Sequence, residues 1–81
     1  MESKYLVFDK YIGQDGKLPI YEVKNKATLD SLGVIYFYLD WHKYVFEAIP
    51  QIVYDADYLI DIAKFLKEVQ NEWEEELKND E

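Results

Sequence analysis

Apolar and aromatic positions along the chain gather into four short runs and one long periodic one. Residues 4–12 are dense in Tyr, Leu, Val, Phe and Ile and read as a strand. Gly13-Gln14-Asp15-Gly16 follows, and Asp-Gly tolerates the positive φ of a tight hairpin turn. Residues 18–23 then read as the return strand, with Pro19 near its start, where a missing N–H suggests an edge position. Residues 24–31 are polar and read as a connection. Gly33 opens the next run, residues 34–39, in which both parities are apolar or aromatic, the pattern of a central strand covered at least partly on both faces. Residues 40–43 make a turn, residues 44–49 return, and Pro50 ends the hairpin.

The second hairpin can be registered from the sequence. With its turn centred between Trp41 and His42, Leu39 faces Tyr44, Phe37 faces Phe46 and Ile35 faces Ala48. This nearly all-apolar set is assigned to the core face. The other face carries Val34, Tyr36, Tyr38, Val45, Glu47 and Ile49, with Asp40 opposite Lys43 at the tip. A slip of one residue would exchange the two faces. The remainder reads as a helix. Asp55 is placed to cap it, and Asp57 puts a second negative charge in the first turn. Leu59, Ile62, Ala63, Leu66, Val69, Trp73 and Leu77 recur at three- and four-residue steps as an apolar stripe, flanked by Ile60 and Phe65.

These elements predict an α+β fold, with a four-stranded antiparallel sheet of two hairpins and one C-terminal amphipathic helix packed on one face. One helix covers one face. The other face must be polar or meet something else, which singles out Tyr36 and Tyr38.

The 81 residues are expected to form a single domain over 1–81. A chain this short has a thin core, and with no cysteine it has no disulfide to reinforce it. Small unstapled domains often gain stability by pairing with a copy of themselves, so a homodimer is one expected state. Hydrophobic residues at 49% and aromatic residues at 17% exclude a disordered chain. The opening Met-Glu-Ser-Lys predicts no signal peptide, and no run approaches the ~20 apolar residues of a membrane span. A cytoplasmic protein is expected. The net charge of −8 is unevenly placed: residues 1–50 hold 7 acids and 6 bases, and residues 51–81 hold 10 acids and 3 bases. This balance argues against binding a phosphate backbone. Most simply, the acidic surface of Glu68, Glu72, Glu75 and Glu76 is a solvated helix face, and a sharper reading makes it an imitation of nucleic acid.

Candidate chemistry is sparse. His42 is the one histidine, cysteine is absent, and neither Ser3 nor Ser31 sits in a nucleophile motif. Asp55, Asp57 and Asp61 lack the spacing of a calcium loop and serve better as cap and first-turn acids. No Gly-rich phosphate loop follows Gly16. The expectation is a non-enzymatic chain with no catalytic residue, no metal and no cofactor. Trp41 has two readings, a ring folded back to cap the core or an anchor for a partner. The second groups it with Tyr36, Tyr38, His42 and Lys43 as a partner-binding surface. The favoured function is a protein-interaction module. The alternatives are a nucleotide sponge built from an aromatic cleft in a dimer, and the acidic nucleic-acid mimic.

The pattern Gly33-x-Ile35-x-Phe37-Tyr38-x-x-Trp41-x-x-Tyr44-x-Phe46, followed by Val53-Tyr54-Asp55 and Leu59-x-x-Ile62-x-x-Phe65-Leu66, resembles a group of small phage and prophage proteins. The likeness covers roughly residues 32–70 and is mostly aromatic. His42 stands where that pattern has a basic residue, and Ala48 where it has Pro, which departs from a cationic turn. The resemblance implies a phage context, in which some small proteins block host defences by binding a host protein or sequestering a nucleotide signal.

Overall fold

In a computed structural model of the protein, which describes residues 2–13 and 18–79, four strands form one antiparallel sheet in the order β1-β2-β3-β4. The strands are β1 (Leu6–Ile12), β2 (Pro19–Asn25), β3 (Ser31–Tyr38) and β4 (Lys43–Ala48), and the helix α1 runs over Ala56–Asn79. The architecture is the α+β arrangement expected. The Asp-Gly turn between β1 and β2 lies outside the described residues.

The sheet is a continuous meander. Residues 26–30, expected as a plain connection, close a third hairpin. Asn25 makes this turn: its Oδ1 accepts the N–H groups of Ala27 and Thr28 at 2.9 and 3.2 Å, and its C=O accepts Leu29 N–H at 2.7 Å. Leu29 then takes a left-handed φ of 64°. Because β2 pairs on both sides, Pro19 lies in an interior strand rather than at an edge. It is tolerated as the first residue of that strand, opposite Ile12.

Strand β3 begins two residues before Gly33. Val23 pairs with Gly33 and Lys24 with Ser31, so Leu32 is an extra residue in β3. This bulge turns Leu32 into the core, against the parity of the rest of the strand. Gly33 is required beside it. It has φ +157°, and a Cβ there would fall against the Glu47 carbonyl oxygen and 2.7 Å from Phe46 Cε1.

The β3–β4 register differs from the expected one by two. Tyr38 pairs with Lys43, Phe37 with Tyr44 and Ile35 with Phe46, so Asp40 does not oppose Lys43. The turn is four residues long, with Trp41 N–H donating to Tyr38 C=O and His42 N–H to Leu39 C=O, both at 3.2 Å. His42 closes it at φ 53°. A shift of two leaves the faces unchanged, so Ile35, Phe37, Tyr44 and Phe46 still point to the core. Leu39, expected in that core, sits in the turn at 73% exposure, and Ala48 at the strand's end is exposed.

Asp55 caps α1: its Oδ1 accepts Tyr58 N–H at 3.0 Å, and its C=O accepts Leu59 N–H at 3.2 Å. The buried stripe is rotated from the expected one. It consists of Tyr58, Ile62, Phe65, Leu66, Val69 and Trp73, whereas Leu59, Ile60, Ala63 and Leu77 are exposed. Aromatic rings dictate the rotation. Phe65 stacks on Phe8 at 4.0 Å and meets Tyr21 edge-on at 5.0 Å, while Trp73 lies against Phe37 at 4.7 Å. The helix thus crosses the sheet diagonally, from the start of β1 to the β3–β4 turn. Val23 and Ile35 beneath it are fully buried.

Two polar ties fix the ends of this crossing. Ser3 is buried. Its hydroxyl donates to Asp61 Oδ2 at 2.6 Å and accepts the N–H groups of Tyr5 and Leu6. At the far end, Tyr44 N–H on edge strand β4 donates to Gln70 Oε1 at 2.8 Å, so a helix side chain occupies a donor that an edge otherwise leaves open.

Candidate interaction surface

The helix leaves one sheet face uncovered, and strand alternation decides what that face presents. From β1 and β2 come Val7, Asp9, Tyr11, Ile20, Glu22 and Lys24. From β3 and β4 come Val34, Tyr36, Tyr38, Val45 and Glu47. Most are half-buried, packed against cross-strand neighbours alone.

Three of the five residues expected at a partner surface come together here. Trp41 is 63% exposed, and its ring meets the Tyr38 ring edge-on at 5.2 Å. The core-capping reading of Trp41 is therefore overturned: the four-residue turn carries the indole to the outer face. Tyr38 in turn meets Tyr36 edge-on at 6.4 Å. Tyr36 donates its hydroxyl to Glu47 Oε1 at 2.9 Å, and Tyr38 to Asp40 Oδ2 at 3.2 Å. The bond to Glu47 is the main reason the Tyr36 phenol is held above its usual pKa, since ionisation would set two anions together. Tyr36, Tyr38, Trp41, Val45, Phe46 and Glu47 bound a shallow hollow of about 280 Å³.

The other two residues are set apart. His42 is exposed, and its ring lies edge-on to Phe37 at 5.8 Å, on the helix side. Lys43 shares the outer face beside Tyr38 but does not border the hollow.

A second, larger depression of about 420 Å³ adjoins the first and was not foreseen from sequence. Tyr11 and Ile20 stand on one side, Val34 forms the floor, and Glu47, Ala48, Ile49 and Pro50 close the other side. Glu47 belongs to both hollows. The signal was present in the first hairpin, where Tyr11 and Ile20 pair, but only the sheet order brings them beside β3.

The acidic residues divide between surfaces. Glu72 and Glu76 border a cavity of about 220 Å³ with Lys10, Tyr21, Tyr44 and Trp73, on the helix-covered side, whereas Glu68 and Glu75 lie exposed outside it. The hydroxyl of Tyr44 donates to the Pro19 carbonyl at 3.1 Å, and burial pushes its pKa up to about 12, with Tyr21, Glu76 and Glu72 adding to the rise. Among the described residues no three His, Asp or Glu side chains are grouped to hold a metal, and no helix is long and apolar enough to cross a membrane. Ser3 and Asp61 are bonded near the start of the helix, far along it from the His42 turn.

No family model, curated protein or solved structure matches the chain, and the resemblance to small phage proteins therefore rests on its quoted residues alone.

Proposed function

We propose that the chain is a protein-interaction module that acts without covalent chemistry, docking a partner on its uncovered sheet face and the Trp41 turn. The observation that carries this reading is the aromatic row Trp41–Tyr38–Tyr36, spaced at 5.2 and 6.4 Å and presented on a face that no element of the fold covers. Tyr and Trp dominate binding hot spots because they bring large rigid contact area at low entropic cost. The hydroxyl bonds to Glu47 and Asp40 hold the two tyrosines in one orientation before any partner arrives. A nucleotide ligand fits this face less well, since Glu22 and Glu47 oppose phosphate and Lys24 is held by Asp9 at 2.8 Å.

The test is affinity capture with the wild-type chain and with a Tyr36→Ala/Tyr38→Ala/Trp41→Ala variant of unchanged circular dichroism. A bacterial lysate is the first choice, given the resemblance to phage proteins. A partner retained by the first and lost by the second supports the reading. Equal capture by both, or capture abolished instead by neutralising Glu68, Glu72, Glu75 and Glu76, moves the function to the acidic helix.

A further inference from the structure

Resting on that docking reading, we infer that the 420 Å³ groove beside the aromatic row receives an arginine side chain from a basic segment of the partner. The groove has the apolar floor and anionic rim that a long cationic side chain needs. Val34 sits at its centre in a cross-strand row, with Glu22 opposite on β2 and Glu47 opposite on β4. Strands lie about 4.8 Å apart, so the two carboxylates stand on either side of a single apolar residue. Their situations differ. Glu22 is already shared by Lys24 at 3.4 Å and the Tyr11 hydroxyl at 3.5 Å. Among the described residues Glu47 accepts only the Tyr36 hydroxyl, and no cation is paired with it.

An arginine laid across Val34 would bury its methylene stem there and bring its planar guanidinium to Glu47, beside the Tyr36 ring. Arginine suits this better than lysine, because its fork pairs with a carboxylate through two hydrogen bonds and its plane stacks on an aromatic face. Charge selects the occupant. Among the described residues Glu47 has no paired cation, and the chain contains no arginine, so a second copy has none to offer it. A second copy docked face to face would bring Glu22 and Glu47 of both chains into one dry interface, which self-pairing disfavours. A basic segment is drawn to the same face and neutralises it.

The experiment titrates the full chain with octaarginine, octalysine and free arginine amide, reading backbone amide shifts by NMR and affinity by calorimetry. Glu47→Gln is compared with a Glu72→Gln/Glu75→Gln/Glu76→Gln control, and all variants are checked for an unchanged melt. The expected result is octaarginine shifts centred on Ile20, Val34 and Glu47, with tighter binding than octalysine. Glu47→Gln should then lose about tenfold in affinity, the order expected for one charge-assisted pair, while the helix control stays within about twofold. Shifts centred on the helix with no effect of Glu47→Gln would overturn the inference while leaving the docking reading intact. So would a captured partner that depends on Trp41 but not on Glu47. Arginine amide binding as tightly as the peptide would overturn the choice of a protein segment in favour of a small cation. A dimer that tightens in Glu47→Gln would assign the face to a second copy.

Discussion

The two tryptophans allow a direct test of which side of the sheet carries stability. Trp73 is half-buried and lies 4.7 Å from Phe37 over the core, whereas Trp41 is 63% exposed and touches Tyr38 edge-on. Truncating a core Trp to Ala costs about 3–5 kcal/mol, and half-burial puts Trp73→Ala at about 2–3 kcal/mol. Trp41→Ala forfeits one edge-on aromatic pair, about 0.5–1.5 kcal/mol when dry and less with the indole mostly in water, so about 1 kcal/mol at most. In a domain of this size 1 kcal/mol moves Tm by about 4–8 °C. Thermal and urea melts followed by circular dichroism should therefore show Trp73→Ala falling by about 10–20 °C and Trp41→Ala by less than about 8 °C. Each variant keeps one indole, so fluorescence adds a check: the emission left in Trp73→Ala should be quenched readily by iodide, and that left in Trp41→Ala should not. A loss in Trp41→Ala equal to that in Trp73→Ala would refute the outward placement of the turn and restore the core-capping role.

Three further outcomes follow from the packing. The Tyr44 phenol, at 4% exposure, titrates near 12 in the folded chain against about 10 unfolded, so the neutral form favours folding. Its contribution is whole below about pH 10 and is lost as pH rises through about 12, roughly 2–3 kcal/mol in alkaline urea melts, and Tyr44→Phe should flatten that slope. Gly33→Ala should destabilise by about 2–4 kcal/mol, since its methyl meets the Glu47 carbonyl and the Phe46 ring at a positive φ; a near-neutral change would mean that β4 moves away freely. Ser3→Ala strands the Asp61 carboxylate and two N–H groups, and a loss of about 1–3 kcal/mol in the same melts is expected, with faster hydrogen exchange at Leu6.

The features legible in the sequence were those set by local pattern. Asp55 announced the helix start because a cap acts within three residues, and the faces of the second hairpin followed from alternation. The errors came from features decided at a distance. The sequence placed the β3–β4 turn one residue late because Leu39 looks like core, whereas a four-residue loop closed by left-handed His42 needs it outside. Helical periodicity pointed to one stripe, through Leu59 and Ala63, whereas the sheet takes one through Tyr58, Ile62 and Phe65. The rings of Phe8 and Tyr21 on the sheet chose between them. At the candidate surface, Tyr36, Tyr38 and Trp41 were accessible from the hairpin alone. The groove was not, because it needs Tyr11 and Ile20 from one hairpin beside Val34 and Glu47 from the other.

That division also bears on why such a surface can exist in so small a domain. Stability rests on the helix side, where Val23, Ile35, Ile62 and Val69 are buried together. The outer face is held by cross-strand pairs and by hydroxyl–carboxylate bonds such as Tyr36 to Glu47, each worth little to folding in half-exposed surroundings. Residues there are thus free to be chosen for what they meet. An uncovered apolar face invites self-association, and Asp9, Glu22, Asp40 and Glu47 among the rings oppose it. On the docking reading proposed above, the same carboxylates that orient the tyrosines restrict what can dock on them.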